Sequence, residues 1–416
     1  MSVTTAAEPY YDPYDYDIDA NAHAVWKRLR DEAPLYRNEQ YDFYAVSRYD
    51  DVLRAILDTD TFSSAHMTVL EMMTPEPLGS LGGLMIFMDP PQHTHLRKLV
   101  SRAFTPRAIH DLEQRIHRLC AEFLDPFVGS DGFDYIDDFA ARLPPTVILA
   151  LMGFPEGHAD EWRKAQDAMF HMEEGEQGFV RSGGGYGNPE ERLAEVESSG
   201  GNLLQMVPEL AAERRREPKD DLISVLANSD LEQDDGSTRK LRDDEIVGFS
   251  MLLSSAGTET VARHLSWAAL LLARHPDQRQ ILVDDPGAIP NALEETMRYE
   301  APSPVNARWV NRDVAFQGQT VPAGSKLLML NGSGNRDERH FPDPDVYDVR
   351  RRIDRHLSFG YGAHFCVGAA LARLESRIAM EETLARFPTW DVDESELGWV
   401  HTSTVRGFAN VPIHLR

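Results

Sequence analysis

Along most of this chain apolar residues recur three and four positions apart, the spacing that gathers them on one face of a helix. "NAHAVWKRLRDEAP", residues 21–34, reads as an amphipathic helix stopped by Pro34, and "DFYAVSRYDDVLRAIL", residues 42–57, as a short strand followed by a helix. A further helix follows Asp89, with Asp89 as its N-cap and Pro90 and Pro91 opening the first turn. Helical spacing continues through "RLPPTVILALMGF", "GHADEWRKAQDAMFHM", "NLLQMVPELAAERRRE" and "DDLISVLANS". It then predicts a long helix over Asp243–Arg274, one in "IPNALEETMRYE", and a last one from about Val367 to Phe387. Strand-like runs cluster after Val305 ("ARWVNRDVAF", "TVPAGSKLLML") and near the end ("ANVPIHL"). No internal repeat or long linker divides the chain, and the glycines of residues 175–189 predict a mobile segment.

Composition narrows the class. With 416 residues and 42% hydrophobic content the chain can bury a large core. The longest apolar region, from Ile246 to Ala273, is interrupted by Glu259, Arg263 and His264, whereas a membrane span needs roughly 20 mostly apolar residues. It reads as a core helix of a protein without a membrane anchor. Two cysteines, Cys120 and Cys366, cannot build a disulfide framework, and no early stretch has the make-up of a secretion signal, so a cytoplasmic location is expected. Lysines and arginines number 42 against 68 acids, a formal charge of −26, which argues against nucleic acid as a partner because phosphates are repelled.

Residues 356–373, "HLSFGYGAHFCVGAALAR", pack glycines and a histidine around Cys366. Cys366 reads four ways: an inert core thiol, a zinc ligand, a nucleophile, or a thiolate ligand of a haem iron. Gly360 and Gly362 permit tight turns that present backbone N–H groups to the sulfur, and a helix starting near Val367 sets its positive end behind it. Both effects favour the thiolate. Zinc wants four ligands, and only His364 stands near. A nucleophile needs a base and an orienter, which spacing alone leaves open. The haem reading suits the whole loop, because glycines also let the backbone approach a flat macrocycle.

"FGYGAHFCVGAALAR" resembles the haem-binding signature of the cytochrome P-450 family, matching Phe359, Gly360, Gly362, His364, Cys366, Gly368, Ala372 and Arg373 in order and spacing. The resemblance implies one domain over residues 1–416 with a mainly α fold: a large helical lobe and a small β-rich lobe drawn from about 35–65, 305–330 and 390–416. It implies haem b (iron protoporphyrin IX), with Cys366 on the iron and contacts from Ala256, Gly257, Phe359, Gly360, Val367, Gly368 and Ala372. Within "AGTET", Gly257 costs about 1 kcal/mol against alanine in a helix and Thr258 and Thr260 compete for backbone carbonyls, so a local widening of the long helix is predicted. The resemblance makes Thr260 and Glu259 the alcohol and acid that deliver protons during oxygen chemistry. In "EETMR", Glu295 and Arg298 share a helix face, and the resemblance joins them to Arg351 as a buried structural trio. His93 and Arg97 also share a face; with Arg308 and His364 they are, by resemblance, the haem propionate ligands.

By the same resemblance Val69, Met85, Phe170, Leu253, Val305, Asn306 and Thr404 line the substrate pocket. The segment "HMTVLEMMTPEPLGSLGGLMIFM" carries five methionines and no lysine or arginine, so either it fills core gaps or it makes an adaptable apolar wall. The implied activity is insertion of one oxygen atom of O2 into a C–H bond of a hydrophobic small molecule, a terpenoid, steroid or branched lipid being favoured. Electrons are expected from a ferredoxin and its NAD(P)H-dependent reductase, docking near Lys98, Arg102, Arg107 and "RRRIDRH". A monomer is expected, with residues 175–189 forming a lid. The alternatives are a peroxide-driven enzyme of this fold, a haem-thiolate sensor without enzyme activity, and a non-haem cysteine hydrolase.

Overall fold

The computed structural model describes residues 8–77, 84–101, 104, 106–170, 180–181, 185–186, 201–233 and 235–416. Its axis is the helix Asp243–Arg274, 32 residues long and buried around most of its circumference from Val261 to Leu272. A helix apolar on nearly every side belongs inside a core, and this one packs against Leu143–Met152, Val207–Arg216 and Ala369–Arg386. Glu245 accepts from the Arg242 backbone N–H at 2.8 Å and fixes the start. At the other end Pro276, which lacks an N–H, opens the next helix, Pro276–Asp284. Among the described residues no helix is long and apolar enough to cross a membrane.

The predicted 142–154 helix runs Leu143–Met152 and stops at Gly153, whose φ of +89° is left-handed; a Cβ there would lie 2.4 Å from the Asp221 carboxylate. The helix Pro106–Leu124 was not read from the sequence, although Ile116, Cys120, Phe123 and Leu124 repeat at helical spacing and are buried against Ala369–Arg386. Pro276–Asp284 was likewise missed. Asp89 is not an N-cap: the helix starts at Gln92, and the Asp89 carboxylate accepts instead from Ser63 Oγ (2.5 Å) and Ser64 N–H (2.8 Å). A partner distant in sequence outcompetes the local cap.

One five-stranded sheet joins the early and late strand segments, in the order Leu35–Asn38, Phe43–Val46, Lys326–Leu330, Val305–Val310, Phe62–Ser63. Its pairings are antiparallel except Lys326–Leu330 with Phe43–Val46. The carboxy-terminal strands stay apart from it. Pro412–Leu415 pairs with Trp390–Val392 and Gly132–Asp134, and the hairpin Gly398–His401/Arg406–Asn410 lies on the long helix. Between sheet and helices, Glu300 collects His23 Nε2 (3.0 Å), Arg336 Nη2 (2.9 Å) and Arg406 Nη1 (2.5 Å). Burial opposes its ionisation, but these three neighbours hold the carboxyl well below the usual range.

Candidate active site

The cysteine loop is shaped by backbone. Gly360 and Gly362 have φ of +63° and +65°, a region that side-chain-bearing residues rarely occupy. The Gly360 N–H donates to Leu357 O (2.9 Å), a single 3₁₀ turn spans Gly362–His364, and the Cys366 N–H closes the loop onto Phe359 O at 2.8 Å. The helix Ala369–Arg386 starts directly after, with Gly368 as its cap, and the Gly368 N–H is directed at the Cys366 sulfur. Burial pushes the Cys366 thiol up, against the sequence expectation, while the Gly368 N–H and the charges of Arg97 and Arg373 pull it down. Cys120 is fully buried and pushed up strongly by that burial, an inert core thiol.

Histidines and arginines gather beside this loop. The rings of His93 and His364 lie 4.1 Å apart, and His364 Nε2 is 3.3 Å from Ser64 Oγ. Burial, then Arg308, His93 and Arg97, push His364 down to about 2; burial and Arg97 push His93 down to about 4. Arg308 is fully enclosed, and its one side-chain hydrogen bond among the described residues goes to the carbonyl of its neighbour Ala307 (2.8 Å). His93 Nδ1 is buried without a partner there. Burial pushes Arg308 down to about 10 and Asp89 offsets only part of that; with no carboxylate in direct contact among the described residues, this cluster has the make-up of a binding site for an anion.

On the long helix Ala256 is exposed in mid-core, with Gly257 and Thr260 partly exposed beside it. The predicted widening is absent: the helix is continuous, because Thr260 Oγ1 bonds Ala256 O (2.8 Å) and Thr258 Oγ1 bonds Ser254 O (2.7 Å) without breaking the ladder. Glu259 is buried, and its carboxylate takes Arg263 Nε (3.1 Å) and Nη2 (2.9 Å) one turn on. Adjacent positions point about 100° apart around a helix, so the structure does not bring the Glu259 carboxylate to the Thr260 hydroxyl.

Glu295 and Arg298 are fully buried and doubly bonded (2.6 and 2.8 Å), and Arg351 Nε reaches Glu295 Oε1 at 3.1 Å. Arg298 also donates to the carbonyls of Asn335, Pro344 and Val346, while Asn335 Oδ1 accepts from Leu357 N–H, so the trio ties down the start of the cysteine loop.

Met85, Leu253 and Val305 are buried, and Val69, Asn306 and Thr404 partly so. Met67 and Met73 are buried in one cluster with Tyr11, Trp26 and Val305. Arg102, the Phe170 side chain and most of residues 175–189 lie outside the described residues, whereas Arg352 is exposed. Sequence reasoning missed Glu294 and His356, which meet Arg373: Glu294 takes Arg373 Nε (2.6 Å) and Nη2 (2.9 Å) and His356 Nε2 (3.0 Å). No spacing rule links positions so far apart.

Residues 190–284 and 289–404 match the family described as Cytochrome P450. Putative cytochrome P450 123 of Mycobacterium tuberculosis is 39% identical over 406 residues, spanning 97% of this chain and 96% of that protein. The chain belongs to the cytochrome P450 family. Solved P450 structures share its fold. CYP109Q5 from Chondromyces apiculatus superposes with a TM-score of 0.83 at 31% identity, covering 97% of this chain and 98% of that one. CYP109E1 from Bacillus megaterium, solved in complex with corticosterone, gives 0.82 at 29% identity, covering 96% and 99%. P450s are haem b monooxygenases, which use O2 and redox partners on small molecules. The chain's own residues fit that group: Arg97 and Arg308, with no carboxylate in direct contact with either among the described residues, suit two propionates, and the glycine loop presents one sulfur.

Proposed function

We propose that this P450 holds haem b through Cys366 and hydroxylates a neutral, lipid-like molecule with electrons from a ferredoxin. The observation that carries the reading is the loop closed by Cys366 N–H on Phe359 O, with left-handed glycines and the Gly368 N–H directed at the sulfur. The bound haem supplies activation of O2 and transfer of one oxygen atom to a C–H bond. Everything else is the protein's part. Arg97, Arg308, His93 and His364 bind the propionates, which offsets the cost of enclosing Arg308 that Asp89 leaves uncompensated. Gly368 and the Ala369–Arg386 helix start stabilise negative charge on Cys366. Ala256, Gly257, Phe359, Gly360, Val367 and Ala372 offer backbone or small side chains against which a macrocycle lies flat.

Thr260 holds a movable proton on Oγ1, now spent on the Ala256 carbonyl, on the accessible side of the long helix. Glu259, held as an anion by Arg263, carries no proton in that pair; it relays one taken from water to Thr260 only after leaving Arg263. Thr260→Ala is expected to bind substrate and accept electrons normally while diverting more of them to hydrogen peroxide. The ratio of peroxide to product measures this, and an unchanged ratio would remove Thr260 from proton delivery.

Apolar Met85, Leu253 and Val305, with half-buried Val69, support a hydrophobic substrate. CYP109E1, solved with the neutral steroids corticosterone and testosterone, points the same way. Exposed Arg350, Arg352 and Arg355 ahead of the cysteine loop support docking of an acidic iron-sulfur protein despite the net charge of −26, since local potential governs encounter. The test is a screen of neutral terpenoids, steroids and branched lipids against small acids, read as a Soret shift and followed by turnover. Lipid-like hits, hydroxylated only when NADH, reductase and ferredoxin are all present, are expected. Hits confined to small acids would refute the substrate class, and turnover with peroxide alone would favour the peroxide-driven alternative.

A further inference from the structure

We propose that Glu294 and Arg373 are positioning residues that set the electron density on Cys366 as an opposed pair of charges. Glu294 and Glu295 are neighbours on the helix Ile289–Tyr299, yet they serve different structures: Glu295 closes the buried trio, while Glu294 turns to the cysteine loop. Its oxygens accept from Arg373 Nε (2.6 Å) and Nη2 (2.9 Å). Oε2 also takes His356 Nε2 at 3.0 Å. The Ser358 N–H donates to His356 Nδ1 (3.2 Å), which places the ring proton on Nε2 and makes His356 a donor to Glu294. Tyr361 Oη–H holds the His356 carbonyl at 3.0 Å.

Arg373 is thereby fixed with its guanidinium 4.5 Å from the centre of the Phe359 ring. Phe359 is also the residue whose carbonyl receives the Cys366 N–H. The contacts thus run in a closed circuit from Glu294 through both limbs of the loop, residues 356–361 on one side and Arg373 on the other. Within that circuit Arg373, early in the helix that follows Cys366 and packed on Phe359, places a positive charge beside the loop that favours a negative sulfur, and the Glu294 carboxylate bonded to it offsets that charge. Burial opposes ionisation of Glu294, but Arg373 and His356 hold it down to about 2, so the pair stays charged at any working pH. Removing one member leaves the other's charge uncompensated beside the loop; the Arg373 side chain is 44% exposed, so solvent screens part of that charge and the shift is modest but signed.

The two removals therefore act with opposite sign. In the haem-loaded enzyme, Glu294→Gln leaves a net positive charge near the sulfur, and the iron's reduction potential is expected to rise. Arg373→Gln leaves a net negative charge, and the potential is expected to fall. The double variant is expected near the wild-type value. Arg373→Lys keeps the charge but loses the fork, so its potential is expected to stay close to wild type while its thermal stability drops. Potentials come from spectroelectrochemical titration, and each variant's ferrous carbon monoxide spectrum reports whether the thiolate is retained. Both single variants moving the same way, neither moving, or a double variant that does not compensate would overturn the proposal. So would loss of the thiolate band in both glutamine variants, which would leave the pair a structural clamp only. Where one glutamine variant alone loses the band, Arg373→Lys decides, and a fall in its potential overturns the proposal. The inference rests on Cys366 as the iron ligand: a wild-type protein without the thiolate band defeats that assignment, whereas a normal band with potentials that do not diverge defeats this inference alone.

Discussion

Cys366→His is expected to abolish monooxygenase turnover and to remove the thiolate signature from the ferrous carbon monoxide spectrum. The effect is the largest available because no neighbour can substitute: the one other cysteine, Cys120, is enclosed in the core between Pro106–Leu124 and Ala369–Arg386. Folding is expected to survive, since the loop is held by Cys366 N–H to Phe359 O and by the left-handed Gly360 and Gly362, none of which uses the side chain. Imidazole is neutral where thiolate is anionic, so electron donation to the iron falls even where the metal stays bound. Spectra of the purified variant and product formation with ferredoxin and reductase check this. A retained thiolate band would show that another sulfur holds the iron.

Arg298→Ala is expected to be the most damaging substitution for stability. It leaves the Glu295 carboxylate buried without its bidentate partner and strips donors from the carbonyls of Asn335, Pro344 and Val346. Breaking a buried pair from one side costs about 3–5 kcal/mol, a large part of the roughly 5–15 kcal/mol that typically separates folded from unfolded protein. Little folded variant should accumulate, and its denaturation midpoint should fall well below wild type. Arg298→Lys is expected to rescue poorly, because one ammonium cannot reproduce the fork that reaches Glu295 and three carbonyls together. A loss below about 1 kcal/mol, the scale of a surface pair, would mean that water or Arg351 takes over Arg298's bonds.

What the sequence disclosed was local. Gly360, Gly362 and Cys366 act within one turn, and Glu295 and Arg298 stand at helical spacing, so pattern alone exposes them. The long helix was legible because its apolar run leaves no polar face. What stayed hidden was the choice among distant partners. Asp89 is a reasonable N-cap until Ser63 and Ser64 outbid the helix for its carboxylate. Glu259 looks like an acid at Thr260 until Arg263, one turn away, takes it. The methionines of residues 67–88 divide between two cores, which no count of methionines can show. Glu294, His356 and Arg373 become a group only through tertiary folding.

The carboxylate of Glu300 sets an order on biosynthesis. Its three partners come from the first helix region, from a segment 36 residues further on, and from the hairpin strand at Arg406, 106 residues further on. During translation Glu300 and Arg336 emerge together, but Arg406 leaves the ribosome only after the long helix, the sheet and the cysteine loop. Until then the carboxylate has only one of its two buried arginines, Arg336, and the helix bearing His23 docks on the sheet and on Ser333 without the contact that Arg406 adds through Glu300. Contacts this far apart slow folding, because a long loop must close before any of them stabilises the chain. A nascent chain paused before Arg406 thus holds a nearly complete core in which the cluster around Glu300 still lacks its last cation.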